Sequence, residues 1–308
     1  MRALIVSNMY PSAERPALGS FVRDQVDALR RIPGLEIDVF AFDPGSIGGY
    51  LRAAAELRRR HRGTRFDVVH SHFGLTAWPA FSARARSHAV TLHGTDLAHR
   101  RSRALTVAAL PLLKLVAAVS EPLLAQAPRR ALRGRTAVLP AGVDIHRFRP
   151  IPRRDARERL GLDPDGPYVL FAADPLRPEK RYDRALAVAG DVPLLSLGNV
   201  DPAEVPLWIN AANAVLVPSE REGFGLAVLE ALACDVPVLS TPVGIAPTVL
   251  GGVPGMHCGP FDVAGWRAAL EPQLTAADPR VPGRPRAEAY STDRMAARVV
   301  AAWEELDG

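Results

Sequence analysis

The sequence alternates short apolar runs with helix-compatible stretches, in two successive series over its 308 residues. Leu4-Ile5-Val6 reads as a buried strand, and Ser20 is placed to cap a helix running through Leu29. Further strands are expected at Ile37–Phe42, Phe66–His70, Ala89–His93, Leu115–Ser120 and Thr136–Leu139, with helical stretches near 50–60, 75–86, 103–113 and 121–132. Phe148-Arg149-Pro150-Ile151-Pro152 breaks the pattern and reads as a linker. A second series follows, with strands at Tyr168–Ala172, Leu194–Leu197, Ala214–Val217 and Val236–Leu239 and helices at 153–160, 180–189, 203–212, 224–233 and 262–270. The last stretch, 292–306, is helical with no strand after it. Such alternation implies parallel, doubly wound α/β sheets. Residues 1–148 and 149–291 therefore read as two Rossmann-like domains facing across a cleft, with ligands expected beyond the carboxyl ends of the strands.

Composition narrows the class. A chain 48% hydrophobic and 23% charged is neither disordered, collagen-like nor a coiled coil. Cys234 and Cys258 stand far apart with no Cys or His at ligand spacing, so no disulfide framework or zinc knuckle is available and a reducing cytoplasm fits best. The apolar stretch Ala3–Val6 is too short for a signal peptide, and the uncharged run Val236–Phe261 holds five prolines and five glycines, which excludes a spanning helix. The expectation is a soluble cytoplasmic protein, or one bound peripherally at the inner face of the cell membrane.

Charge is divided unevenly. Residues 1–150 hold 23 basic against 11 acidic side chains, a balance of +12, and the remainder holds 15 against 22, a balance of −7. This asymmetry points to an anionic partner for the first half, or to no more than an arginine-rich solvated face. Runs such as Arg58-Arg59-Arg60-His61-Arg62 carry no interleaved aromatics and no nucleic-acid-binding signature, so nucleic acid is not expected.

Two segments concentrate chemistry. Val215 to Glu230 reads as a strand ending at Pro218, a polar turn through Ser219 and Glu222, and glycines 223 and 225 opening a helix. Glycines there let a ligand approach backbone N–H groups, and a helix N-terminus favours an anion; the same pattern also occurs in plain strand-to-helix turns. The second segment, Asp174 to Arg181, follows the Tyr168–Ala172 strand and places Arg177 and Lys180 where cations suit a diphosphate. Lys180 is one of only two lysines beside 36 arginines, which hints at a specific point charge.

In this order the pieces resemble the retaining glycosyltransferases of family 4, which have the two-domain GT-B fold. The resemblance runs from Ser7-Asn8-Met9-Tyr10-Pro11 and Gly19-Ser20-Phe21 through Val69-His70-Ser71-His72, Thr91-Leu92-His93-Gly94-Thr95-Asp96 and Pro140–Asp144. It is most specific at Glu222 and Glu230, spaced as in the family's Glu-x7-Glu motif. It implies transfer of a sugar from a UDP- or GDP-type nucleotide sugar to a sugar, anionic or lipid-linked acceptor. No metal cofactor is implied. Arg177 and Lys180 would hold the donor diphosphate. Phe224, Gly225 and Leu226 would lay amides against sugar and phosphates, and Pro218, Ser219 and Gly223 of the same turn would also bind the donor. Glu230 would bind the ribose, Glu222 the transferred sugar, and Gly198 would approach the base. Gly19 would let its loop approach the diphosphate, and His93 would line the sugar pocket. His70 and His72 read as pocket lining or core. The final helix would cross back to the first domain, with Trp303 packing across the junction.

The chain departs from the family in two places. Ala173-Asp174 stands where a Gly-Arg pair is usual, which leaves Arg177 as the substitute cation. The segments 181–189 and 195–200 are nearly adjacent, so the second domain reads as trimmed by one βα unit that normally helps to form the base pocket. A catalytically silent nucleotide-sugar binding module and a sugar-nucleotide epimerase are the alternative readings.

Overall fold

The computed structural model describes residues 1–198 and 200–306; Asn199, within the expected base-pocket segment, lies outside them. The elements, in chain order, are β1 (Arg2–Ser7), α1 (Ser20–Arg30), β2 (Glu36–Ala41), α2 (Ile47–Arg60), β3 (Arg65–His72), α3 (Ala77–Ala80), β4 (Arg84–Leu92), α4 (Thr95–Ala98), α5 (Arg100–Ala109), β5 (Leu115–Ala118), α6 (Glu121–Leu124) and β6 (Arg135–Val138). They continue as α7 (Arg153–Arg159), β7 (Val169–Phe171), α8 (Tyr182–Ala189), β8 (Leu194–Ser196), α9 (Val205–Ala211), β9 (Ala214–Val217), α10 (Leu226–Ala233), β10 (Val238–Ser240), α11 (Ala246–Leu250), β11 (His257–Cys258), α12 (Val263–Thr275), α13 (Arg284–Glu288) and α14 (Thr292–Glu304). The chain forms two compact units, 1–142 with 292–308, and 143–291.

Unit 1 is built on a sheet of order β2-β1-β3-β4-β5-β6 with every neighbouring pair parallel. Successive residues of β1 point to opposite faces. Ala3 and Ile5 join Val22, Val26 and Leu29 of α1 and Val299 and Trp303 of α14, while Leu4 and Val6 join Ala53 and Leu57 of α2 and Phe66. Unit 2 is built on the parallel sheet β11-β10-β9-β7-β8, with α8 and α12 packed on one face around Phe171, Trp266 and Leu270. Among the described residues this sheet has five strands, β8 forms its edge, and α9 follows β8 at once. The six-stranded doubly wound order carries one more strand beyond that edge.

Several local expectations are corrected. The stretch 75–86 is not one helix: α3 ends at Ala80 and β4 starts at Arg84, pairing with β3 from Arg65 onward. Only the buried half of β4 is apolar, so Arg84-Ala85-Arg86-Ser87-His88 gave no strand signal. The helix expected over 121–132 stops at Leu124, and a 3-10 turn follows Pro128, which cannot donate a helical hydrogen bond. The helix expected from 180 begins at Tyr182, because Arg181 adopts a left-handed backbone (φ 58°) after a 3-10 turn at Pro178–Lys180.

The segment read as a linker packs into unit 2. Arg284 donates to the carbonyls of Ile145 and Phe148, Arg280 donates to that of Ile151, and Val143 bridges Ser291. Trp303 is fully buried in the core of unit 1, and its indole N–H donates to His70 Nδ1 at 2.9 Å. Among the described residues no helix is long and apolar enough to cross a membrane.

Candidate functional site

In unit 2 the loops after β7 and β9, neighbouring parallel strands, meet at their carboxyl ends. Lys180 Nζ lies 2.7 and 2.6 Å from the two carboxylate oxygens of Glu222, and Ser219 Oγ donates to Oε1 at 2.8 Å. The side chains of Lys180 and Glu222 are 14% and 10% exposed, so the pair is largely removed from water. Ser219 is held in turn by Thr241 Oγ1, which donates to its carbonyl at 2.6 Å. Around the pair the two loops are stitched together. Glu220 N–H donates to the Glu179 carbonyl, and Arg181 pairs with both Glu220 (2.5 Å) and Asp183 (2.6 Å).

Gly225 opens α10 with φ 91° and no side-chain cap; Val228 N–H donates to the Gly225 carbonyl, and the amide of Leu226 before it is left to a ligand or solvent. Phe224 is buried beneath this turn, Pro218 is buried before it, and Gly223 and Leu226 are half-buried. The turn is pinned from the next loop: Ile245 N–H donates to the Phe224 carbonyl at 2.7 Å, and a Cβ on Gly244 (φ 54°) would overlap that carbonyl. Glu230 lies in α10, half-buried. Gly198 packs on the turn after β7, where an added Cβ would press on Pro175 Cδ at 3.1 Å and Asp174 Oδ1 at 3.2 Å. Arg177 is drawn to Glu179 (2.7 Å) rather than Glu222, and its side chain is 55% exposed. The carboxyl of Glu179 is held below its ordinary range, by a backbone N–H first and by Arg177 beside it.

In unit 1 three histidines form a row at the carboxyl ends of β3 and β4. The rings of His70 and His72 stack at 5.3 Å between centroids, and those of His72 and His93 at 5.2 Å. His72 Nδ1 and His93 Nε2 are 3.0 Å apart. An indole nitrogen can only donate, so Trp303 makes His70 Nδ1 an acceptor and the neutral ring carries its proton on Nε2, donated to Thr91 Oγ1 at 2.7 Å. Burial pushes all three rings toward the neutral form, His70 and His72 far down and His93 to about 3. Phe21 packs on His93 with centroids 4.9 Å apart. Two residues earlier, Gly19 (φ 68°) starts α1 where a Cβ would overlap the Met9 carbonyl, so its glycine is already required inside unit 1.

Two residues without a sequence-assigned role belong to this edge. Asp96, fully buried, accepts from Gly74 N–H at 2.5 Å, His93 N–H at 2.6 Å and Gly94 N–H at 2.9 Å, tying the loops after β3 and β4 together. Phe21 supplies the face on which His93 rests. Both residues lie in segments that carry the family resemblance, but nothing in their spacing announces a clamp or a ring contact. Among the described residues no three His, Cys, Asp or Glu side chains are grouped to hold a metal ion.

Comparison with known proteins gives the chain a family and a fold. Residues 13–147 match the family described as Glycosyltransferase Family 4, and residues 168–275 match Glycosyl transferases group 1. The D-inositol 3-phosphate glycosyltransferase of Mycolicibacterium paratuberculosis is 30% identical over 334 residues, covering 91% of this chain and 74% of the relative. Its counterpart in Geodermatophilus obscurus is 29% identical over 319 residues, covering 84% and 71%. Sucrose-phosphate synthase from Thermosynechococcus elongatus superposes with a TM-score of 0.76 at 18% identity, covering 100% of this chain and 99% of that one. Anabaena HepE in complex with UDP and glucose superposes with a TM-score of 0.72 at 17% identity, covering 99% and 100%. The fold is that of the GT-B glycosyltransferases, and the chain is an enzyme of that class. It belongs to glycosyltransferase family 4.

Proposed function

We propose that the protein moves a sugar from a uridine- or guanosine-diphosphate sugar to an anionic acceptor, with retention of anomeric configuration and without a metal ion. The observation that carries this reading is the desolvated Lys180–Glu222 pair at the carboxyl ends of β7 and β9. A donor diphosphate offers Lys180 a stronger anionic partner and releases Glu222 toward the sugar. Lys180 and Arg177 then stabilise the departing nucleoside diphosphate, where negative charge grows, and Glu222 faces the ring where positive charge develops. The uncapped amides at Phe224, Gly225 and Leu226 receive phosphate oxygens. Pro218, Ser219 and Gly223 shape the turn that presents them. Glu230 takes the ribose hydroxyls, and Gly198 marks the approach of the base.

In unit 1, His93 is the proposed sugar contact, and its neutral state suits it to a hydrogen bond rather than an ion pair. Gly19 holds the loop expected to approach the diphosphate. The +12 balance of residues 1–150 and the inositol phosphate for which the relatives are named both favour a phosphorylated acceptor.

Thermal unfolding in the presence of UDP, GDP, ADP, TDP and CDP without metal tests this reading. One nucleotide at ~100 times its Kd is expected to add about 2.7 kcal/mol of apparent stability. The shift should vanish in Glu230→Ala and weaken in Lys180→Ala. No shift with any nucleotide would leave a fold that no longer holds a donor, and the transferase reading would fall.

A further inference from the structure

Beside the carboxyl edge of the first sheet lies a groove lined wholly by apolar surface. Ile47, Tyr50 and Leu51 of α2, Leu75 of the turn after β3, Trp78 of α3 and Leu105 of α5 enclose about 330 Å³. Its rim protrudes: Ile47 is 78% exposed, Leu51 71%, Leu105 48% and Trp78 41%. Isolated exposed leucines are ordinary on a protein surface, whereas a contiguous set converging from four segments marks an interaction site. The large rings are fixed in place. Trp78 Nε1 donates to the Leu105 carbonyl at 3.2 Å, and Tyr50 Oη accepts from Asn8 Nδ2 at 3.2 Å. The second bond joins the groove to the loop that follows β1.

Among the described residues, the exposed charges flanking this groove that no ion pair engages are basic. Arg52 follows Leu51, and its guanidinium lies within 3.5 Å of where a Cβ on Gly48 would stand, beside Ile47. Arg101 precedes Leu105 by one helical turn and shares its face, next to Arg100, and Arg52, Arg100 and Arg101 are all exposed. No carboxylate lines the groove. Nearby, Asp43 is engaged by Arg15, Glu56 by Arg59, and Asp96 is buried in its clamp. An apolar floor with protruding aliphatic side chains and a basic rim is the chemistry of the headgroup–acyl boundary of an anionic bilayer.

We infer that this face of unit 1 docks on an anionic lipid leaflet, with Ile47 and Leu51 entering the acyl boundary and Arg52, Arg100 and Arg101 meeting the headgroups. A surface attached this way would bring the β1 loop of unit 1 to lipid-borne acceptors. The docking does not depend on the donor reading above.

Co-sedimentation of the full chain with vesicles tests it. Wild type should bind phosphatidylglycerol–phosphatidylcholine vesicles, bind pure phosphatidylcholine weakly, and be released as salt rises to about 0.5 M. Ile47→Glu combined with Leu51→Glu should weaken binding about tenfold or more, the scale of withdrawing two aliphatic side chains from the boundary. Arg100→Gln with Arg101→Gln should also weaken it, whereas Arg58→Gln with Arg59→Gln, at the far end of α2, should leave it near wild type. Absence of binding to anionic vesicles overturns the proposal. So does binding that survives Ile47→Glu/Leu51→Glu but is lost in Arg58→Gln/Arg59→Gln, which is adsorption of a basic protein. The altered residues are exposed, so the melting temperature should hold, and the nucleotide shift measured on the same samples reports the donor reading separately.

Discussion

Lys180 and Glu222 neutralise one another, and each therefore opposes the use of the other by a ligand. The pair is bidentate, with Ser219 holding one carboxylate oxygen, so a diphosphate must displace Glu222 from Lys180 before Lys180 can serve it. This competition gives the two residues opposite signs in binding. Lys180→Ala removes the cation and should weaken nucleoside-diphosphate affinity. Glu222→Gln keeps an acceptor for Ser219 but frees Lys180, and should tighten the same affinity about fivefold, the value of a competing pair worth ~1 kcal/mol. Glu222→Gln should also lower turnover about a hundredfold or more, because the group proposed to face the developing charge is lost. Calorimetric titration with the preferred nucleotide, paired with a turnover assay, separates these. Equal weakening of affinity by both substitutions would make the pair a structural tie and nothing more.

The loop after β9 works because a second loop presses on it. Gly244 has φ 54° and its missing Cβ leaves room for the Phe224 carbonyl, which Ile245 N–H holds, whereas Gly225 has φ 91° with its nearest neighbours 3.7 Å from an added Cβ. Gly225→Ala therefore meets backbone strain alone and should cost about 1–2 kcal/mol. Gly244→Ala adds overlap with backbone and should cost more, about 3 kcal/mol, with loss of nucleotide affinity as the turn is displaced. Urea unfolding of both variants beside a nucleotide titration checks the order. The paired strands and this turn were legible because their signals are local: apolar runs, glycines before a helix, and the Glu222–Glu230 spacing. What stayed hidden depends on distant partners. The polar half of β4 is a strand because β3 offers it hydrogen bonds, and Asp96 is a clamp because Gly74 lies across the sheet from it. Residues 148–152 read as a linker because the groups that hold them, the guanidiniums of Arg280 and Arg284 on the carbonyls of Ile151 and Phe148, stand more than 120 positions away.

Six of the eight histidines lie in unit 1, and this shapes how the molecule as a whole meets acid. His70 and His72 are almost inaccessible, and burial holds both in the neutral form far below their ordinary titration range. His93, His88 and His61 are shifted the same way by the same cause. A histidine whose folded pKa is depressed binds fewer protons in the native state than in the unfolded chain. Its contribution is therefore fully present above about pH 6.5 and is lost as pH falls below that value. His70 and His72 together should remove up to about 2.7 kcal/mol per pH unit once the unfolded chain protonates. Asp96, raised by burial, acts in the opposite sense, though a carboxyl titrates at lower pH. Unit 2 holds only His146, exposed, and His257, half-buried, and its ties run instead through buried Arg153 and Arg157. Acid should thus weaken unit 1 ahead of unit 2. Scanning calorimetry at pH 7.5 and pH 5.5 is expected to show the transition of unit 1 falling away from that of unit 2. Trp303→Phe removes the donor that fixes the His70 tautomer and leaves Nδ1 buried without its partner. It should lower the unit 1 transition at both pH values, by about 1–3 kcal/mol, while leaving unit 2 in place. A single transition that moves little between the two pH values would mean that the histidine row is solvated in the native protein, and the neutral, hydrogen-bonding role given to His93 would go with it.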